Sequence, residues 1–132
     1  MQDAIADLQA LHDMGSTRAF VSKAGAELVA RTQAVYPGAV WPVVGTHPRT
    51  GRRYLNVNRE FTNHIVGMEA DESAALLRVL TDRFVNPNLQ LRHRWAVGDV
   101  AIWDERCTQH FAVADYLRAR REMGRVVVGV AG

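Results

Sequence analysis

The strongest constraint on this chain is a set of short segments whose apolar residues recur every second position. From Leu89 the pattern puts Leu89, Leu91, His93 and Trp95 on one side and Gln90, Arg92 and Arg94 on the other, which is the period of a strand with one wet face. After a turn at Gly98-Asp99, Val100-Ala101-Ile102-Trp103 is apolar on both faces, as for a strand inside a sandwich, and Val126-Val127-Val128-Gly129-Val130 reads as a further strand. Such strands must be buried against a second layer, so the pattern predicts an α+β chain or part of a jelly roll.

Upstream, the spacing changes. Ile5, Leu8, Leu11 and His12 fall at helical intervals over residues 3–14 and Gly15-Ser16 ends that run. Ser16 can cap a second helix over about 17–33, with Phe20, Ala24, Leu28 and Val29 on one stripe, until Tyr36-Pro37-Gly38 turns the chain. Val43-Val44 and Tyr54-Leu55-Asn56-Val57-Asn58 flank the turn-rich His47-Pro48-Arg49-Thr50-Gly51, which predicts a hairpin with Arg49, Arg52 and Arg53 at a solvated tip. The proline beside His47 makes that histidine a loop element. Asp71 is the expected N-cap of a helix over about 72–85 with Leu76, Leu77, Leu80 and Phe84 buried, stopped by Asn86-Pro87-Asn88. The organisation expected is a single unit over residues 1–132, with a helical lead-in to residue 40 and sheet-forming sequence from 41 onward.

Charge excludes little and supports no polyanion partner. Sixteen basic against fourteen acidic residues leave a formal charge of +2, too small for generic nucleic-acid binding. One cysteine, Cys107, excludes an internal disulfide and a multi-cysteine zinc site, and is expected to be a small buried side chain. No stretch reaches the length of a membrane helix, and the amino terminus lacks the pattern of a secretory signal, so the expectation is a cytoplasmic protein.

Chemistry concentrates in Trp103-Asp104-Glu105-Arg106-Cys107-Thr108-Gln109-His110. His110 ends an expected buried strand, Arg121 follows eleven residues later, and Arg125 four after that. A spacing of four places two guanidiniums on one strand face, roughly 13 Å apart. Arginine forks pair bidentately with carboxylates and other oxyanions, so a histidine and two arginines here can form an anion site. The alternative is a satisfied core histidine with two solubilising arginines on an edge. His93 and Trp95 read as sheet wall.

The stretch from Val43 to Arg125 resembles the taurine/2,4-dichlorophenoxyacetate dioxygenase family of Fe(II)- and 2-oxoglutarate-dependent enzymes, over its carboxy-terminal portion. The resemblance is carried by Pro42-Val43-Val44, Thr46-His47-Pro48, Thr50-Gly51-Arg52, Val57-Asn58, Phe61-Thr62 and Ile65-Val66, and then by Arg92-His93-Arg94-Trp95 and Gly98-Asp99-Val100-Ala101-Ile102-Trp103-Asp104. Arg106, Thr108-Gln109-His110, Asp115-Tyr116, Arg121 and Arg125 complete it. It implies a partial double-stranded β-helix (a jelly roll) with flanking helices, Fe(II) as cofactor and 2-oxoglutarate as cosubstrate. By the same resemblance His110 is the distal metal ligand and Arg121 the clamp on the far carboxylate of 2-oxoglutarate. Arg125 and Phe61 are substrate-binding, and Asp104 with Arg106 shapes the strand end. The implied reaction oxidises a small anionic organic substrate, such as a sulfonate, sulfate ester or carboxylate, while 2-oxoglutarate becomes succinate.

The sequence departs from that pattern at several positions. Trp41, Gly45, Gly124 and Val127 stand where relatives often carry histidine, arginine, histidine and threonine. The family's other ligands form a His-x-Asp/Glu element, and no histidine here (His12, His47, His64, His93, His110) has an acidic residue two positions on. The expectation is therefore a truncated dioxygenase or one completed by another polypeptide. The alternative is a non-catalytic remnant serving as an anion-binding or oligomerising module. Half a β-helix exposes strand edges, so a homo-oligomer or a complementing chain is expected as partner.

Overall fold

The computed structural model describes residues 3–14, 25–116 and 118–129. A 3-10 turn over Asp3–Ile5 leads into strand β1, Gln9–His12. Helix α1 covers Ala26–Val35, followed by β2 (Ala39–Pro42), β3 (Val44–Thr46), β4 (Arg53–Leu55) and β5 (Thr62–Ile65). Helix α2, Ala70–Thr81, continues as 3-10 turns over Asp82–Val85 and Pro87–Leu89.

Strand β1 lies in the middle of a three-stranded antiparallel sheet ordered β2-β1-β5. Ala10 faces Trp41 on one side and Ile65 on the other, and the β5 register shifts between Leu11 and His12. The helix expected over 3–14 is thus a strand. Its Leu8 and Ala10 alternate with Gln9, a two-residue period hidden within the helical one. Backbone pairing along both edges of β1 outweighs the local propensity. Gly38 makes the entry to β2 possible: its φ is +87°, and a Cβ there would meet the His12 carbonyl oxygen at 2.6 Å.

Strands β3 and β4 form the expected hairpin, Gly45 opposite Tyr54. The tip closes through His47 N–H donating to Arg52 O (2.8 Å) and Gly51 N–H to His47 O (2.9 Å). The His47 ring adds to it, Nδ1 accepting from the backbone N–H of Arg49 and of Thr50, both at 3.2 Å. Two backbone bonds join the hairpin to the sheet region: Val43 N–H to Leu8 O (2.9 Å) and Asn56 N–H to Val43 O (2.8 Å).

Ile5, Ala10, Val43, Val57, Ile65 and Leu80 are buried together, with Leu8, Leu55, Met68, Leu76 and Leu77 packed around them. Helix α2 begins two residues before the expected start, with Glu69 as N-cap in place of Asp71. Asp71 and Glu72 fall in its first turn, where the helix dipole favours carboxylates. Ser73, buried in that turn, accepts the Ile65 N–H at 2.8 Å and so ties α2 to the end of β5. Helix α1 has no buried residue, and starts at Ala26; the expected cap Ser16 and the stripe residues Phe20 and Ala24 lie outside the described residues.

The strands expected over 89–95 and 100–103 do not form, nor does the described part of the one expected over 126–130, whose Val130 lies outside the described residues: among the described residues of 90–129 there is neither helix nor strand. Leu91 and Ile102 are 94% and 93% exposed. A strand exists only by hydrogen bonding to a neighbour, and these segments have none within the described chain. No helix among the described residues is long and apolar enough to cross a membrane.

Candidate anion site

The segment bearing His110 is a turn fastened to the folded core. Thr108 Oγ1 donates to the Asp104 carbonyl at 2.5 Å, and Asp104 Oδ1 accepts from Arg106 N–H at 2.9 Å. Gln109 Nε2 donates to Val57 O at 2.6 Å, so the residue before His110 is pinned to a buried part of the core. The expected buried strand is absent, and His110 is half exposed, its ring tilted against Trp103 with centroids 5.5 Å apart.

A second fastening comes from Asp104. Its Oδ2 accepts from His47 Nε2 at 3.0 Å and from Arg106 Nη2 at 2.7 Å. Since His47 Nδ1 takes two backbone N–H groups, the ring proton lies on Nε2 and points at Asp104. The Arg106 side chain first, then the Arg106 backbone N–H and His47, hold the Asp104 carboxyl far below the ordinary carboxylate range. A carboxyl with its folded pKa depressed contributes stability above its unfolded pKa, and loses it only as pH falls through the folded value. Acidification to about pH 4, where free carboxylates begin to protonate, is therefore expected to leave this clasp intact. Hydrogen exchange of the 103–110 backbone checks it; loss of protection near pH 4, matching that of an Asp104→Asn variant, contradicts it.

His47, Asp104 and Cys107 bring three metal-capable atoms within 4.8 Å of one another. The His47 proton on Nε2 and the Arg106 guanidinium on the same carboxylate make this a clasp, not a cation site. Cys107, expected to be buried, is exposed. His93, expected in a sheet wall, is exposed too; it bonds Asp99 at 3.1 Å and meets Trp95 edge-on at 4.7 Å.

The four residues expected to bind ligands fall into three places. His110 Nδ1 lies 3.9 Å from Glu105 Oε1, and the same oxygen accepts a short hydrogen bond from Arg125 Nη2. Glu105 therefore draws His110 and Arg125 to one carboxylate. Arg121 sits over the Tyr116 ring, 5.1 Å from its centroid, and has no carboxylate partner among the described residues. Phe61 lies apart, on an open groove of about 460 Å³ whose walls include His12, Tyr36 and Trp41 but none of the other three. Phe61 is positioned by its backbone, its N–H donating to Asn58 Oδ1 at 2.6 Å and its carbonyl accepting from Asp13 N–H at 2.9 Å. The residue missed by pattern is Glu105. Its only signal is a carboxylate five positions before a histidine, which means little until Arg125, twenty residues on, is seen to meet it.

The described residues do not make a complete iron centre. His110 with Glu105 offers two donors, whereas the facial arrangement that retains Fe(II) uses two histidines and a carboxylate.

Residues 1–127 match the family model described as "Taurine catabolism dioxygenase TauD, TfdA family". An alkylsulfatase from Acinetobacter baylyi is 38% identical over 87 residues, 66% of this chain and 27% of its own length. An alpha-ketoglutarate-dependent sulfate ester dioxygenase from Pseudomonas putida is 41% identical over 97 residues, 69% of this chain and 32% of that protein. The crystal structure of AAD-2 in complex with Mn(II) and N-oxalylglycine is similar in fold, with a TM-score of 0.62 and 24% identity, covering 72% of this chain and 36% of that one. The chain thus spans about a third of the length of these relatives. With the match to the family model running from its first residue to Arg125 and beyond, the chain belongs to the TauD/TfdA dioxygenase family.

Proposed function

We propose that this chain supplies the anion-binding carboxy-terminal part of an Fe(II)/2-oxoglutarate-dependent dioxygenase, within a partial double-stranded β-helix. The substrate is a small anionic organic molecule: a sulfonate, a sulfate ester or a carboxylate. His110 is the one metal ligand the chain provides, Arg121 the clamp for 2-oxoglutarate, and Arg125 with Phe61 the substrate-binding pair. The observation that carries this reading is the Glu105 carboxylate between Arg125 and His110. An intramolecular carboxylate occupies the spot where an incoming anion would pair with the arginine, so the geometry suits oxyanions. Relatives named for sulfate esters and sulfonates support the substrate class.

With only two donors at His110, no step through iron follows from these residues; their part is to bind and orient anions. The second reading, an anion-binding or oligomerising module without catalysis, is favoured by that same donor count. Anaerobic addition of Fe(II) and 2-oxoglutarate to the purified chain separates the two. No visible charge-transfer band is expected from the chain alone, while its appearance would show a metal site that the two-donor count excludes. If the band also stays absent when the chain is combined with a polypeptide bearing a His-x-Asp element, the catalytic reading fails.

Glu105 makes a further expectation. Any anion at Arg125 must displace it, and such half-exposed ion pairs are worth about 0.2–1 kcal/mol. Glu105→Gln is expected to tighten binding of 2-oxoglutarate or an alkyl sulfate by about 1.4–5-fold. Calorimetric titration checks this, and weaker binding in the variant would mean Glu105 helps to hold the ligand.

A further inference from the structure

The groove beside Phe61 carries chemistry that the anion site does not use. It forms where the Tyr36-Pro37-Gly38 turn crosses the end of β1. Gly38 permits that approach, since a Cβ there would meet the His12 carbonyl oxygen at 2.6 Å and Asp13 Cβ at 2.9 Å. Tyr36 is held at one wall by its backbone N–H, which donates to Thr32 O at 2.8 Å and extends the last turn of α1. Trp41 stands at another, on the edge strand β2 opposite Ala10. Ala39, two residues away on the same face of β2, lies opposite His12. A methyl group takes little room there, and His12 remains a lining residue.

Three rings, those of Tyr36, Trp41 and Phe61, line a volume of about 460 Å³, and each keeps roughly half its surface open. Small-molecule sites span about 300–1,000 Å³, and open aromatic rings pair with other rings offset or edge-on. Charge points the same way. None of the described lining residues is lysine or arginine. The Asp13 carboxyl is buried and accepts from Asn63 Nδ2 at 2.8 Å, which disfavours an anion beside it. Burial lowers the pKa of His12, so its ring is neutral near pH 7 and offers no charge to an anion. Among the described residues, His12 Nε2 is the buried side-chain polar atom that lacks a hydrogen-bond partner. A hydroxyl or ether oxygen on a bound ring would supply one.

We infer that this groove receives the uncharged aromatic end of the anionic substrate, with Trp41 and Tyr36 as the residues that select it. The substrate is then an aryl or arylalkyl anion and not a compact one. The inference rests on the anion reading of Arg125, and the two places are joined. Gln109 Nε2 donates to Val57 O, and Phe61 follows Val57 by four residues, a span of at most about 14 Å. An anion beside His110 and a ring against Phe61 sit at the two ends of that stretch.

The test titrates the full 132-residue chain with phenylalkyl sulfates of increasing chain length, with cyclohexylalkyl sulfates of matched length, and with 2-naphthol as an uncharged ring. At the best length the phenyl compound should bind about 2–10-fold tighter than its saturated counterpart. Trp41→Ala should erase that preference and Trp41→Phe should keep it, whereas a merely structural role would weaken both compounds alike. Unchanged hydrogen exchange in β1 checks that the fold survives, and Tyr36→Ala repeats the reading at an independent residue. In the wild type, the Trp41 and His12 ring resonances should shift on addition of 2-naphthol. Equal affinities at every length, a preference that survives both alanine variants, or no 2-naphthol shift at either ring would each overturn the inference. The uncharged probe needs no anion site. If it binds here while Arg125→Ala leaves every sulfate unaffected, the anion reading has failed and the aromatic groove stands.

Discussion

Replacing Arg121 by alanine is expected to weaken 2-oxoglutarate binding by about 10–100-fold, the worth of one charge-assisted bidentate bond. Arg121 rests on the Tyr116 ring, which limits the freedom of its long side chain and leaves its fork available to a carboxylate. A lysine in its place keeps the charge but loses the planar fork, so Arg121→Lys should fall between wild type and alanine. Titration with 2-oxoglutarate, using Arg120→Ala as control, checks this. Arg120 pairs with Glu122 at 2.5 Å on an exposed surface, and its loss should leave affinity unchanged. Equal affinities for Arg121→Ala and wild type would remove Arg121 from the site.

The second large effect is on stability. Ile65 is fully buried between β1 and α2, and its backbone N–H is held by Ser73. Ile65→Ala removes side-chain volume from a small cluster and is expected to cost about 2–5 kcal/mol. Small domains have a total stability of about 5 kcal/mol at the low end, so the variant should populate the unfolded state visibly at 25 °C. Urea unfolding followed by far-ultraviolet circular dichroism measures this. Val66→Ala, next door but 45% exposed, should change stability by less than about 0.5 kcal/mol. Similar losses at both positions would mean that the Ile65 cluster is not the core.

Which parts were legible in the sequence follows from how local their causes are. The hairpin at His47–Gly51 depends on residues within a few positions and forms as expected. The helix expected over about 72–85 instead runs from Ala70 to Thr81 and gives way to 3-10 turns over Asp82–Val85 and Pro87–Leu89. Strand β1 depends on partners thirty and fifty residues away, and its helical spacing concealed it. The opposite error occurred after Leu89. There the period-two pattern is real, but a strand needs a neighbour, which the described residues do not supply. The site divides in the same way. His110, Arg121 and Arg125 were visible as residue types at a spacing, whereas Glu105 acquires meaning only from a contact twenty residues along the chain. His47 is read correctly as loop structure, but its bond to Asp104 spans 57 positions and leaves no local trace.

The placement of β1 has a consequence for how the protein is made. Ala10 leaves the ribosome 55 residues before its partner Ile65. At about 5–20 residues per second, the β5 edge of the central strand stays open for several seconds. Long-range antiparallel pairing also closes slowly once its partner is present, because the intervening loop must lose entropy first. Strand β1 is thus completed only once β5 has been translated, and until then its open edge can pair with another chain.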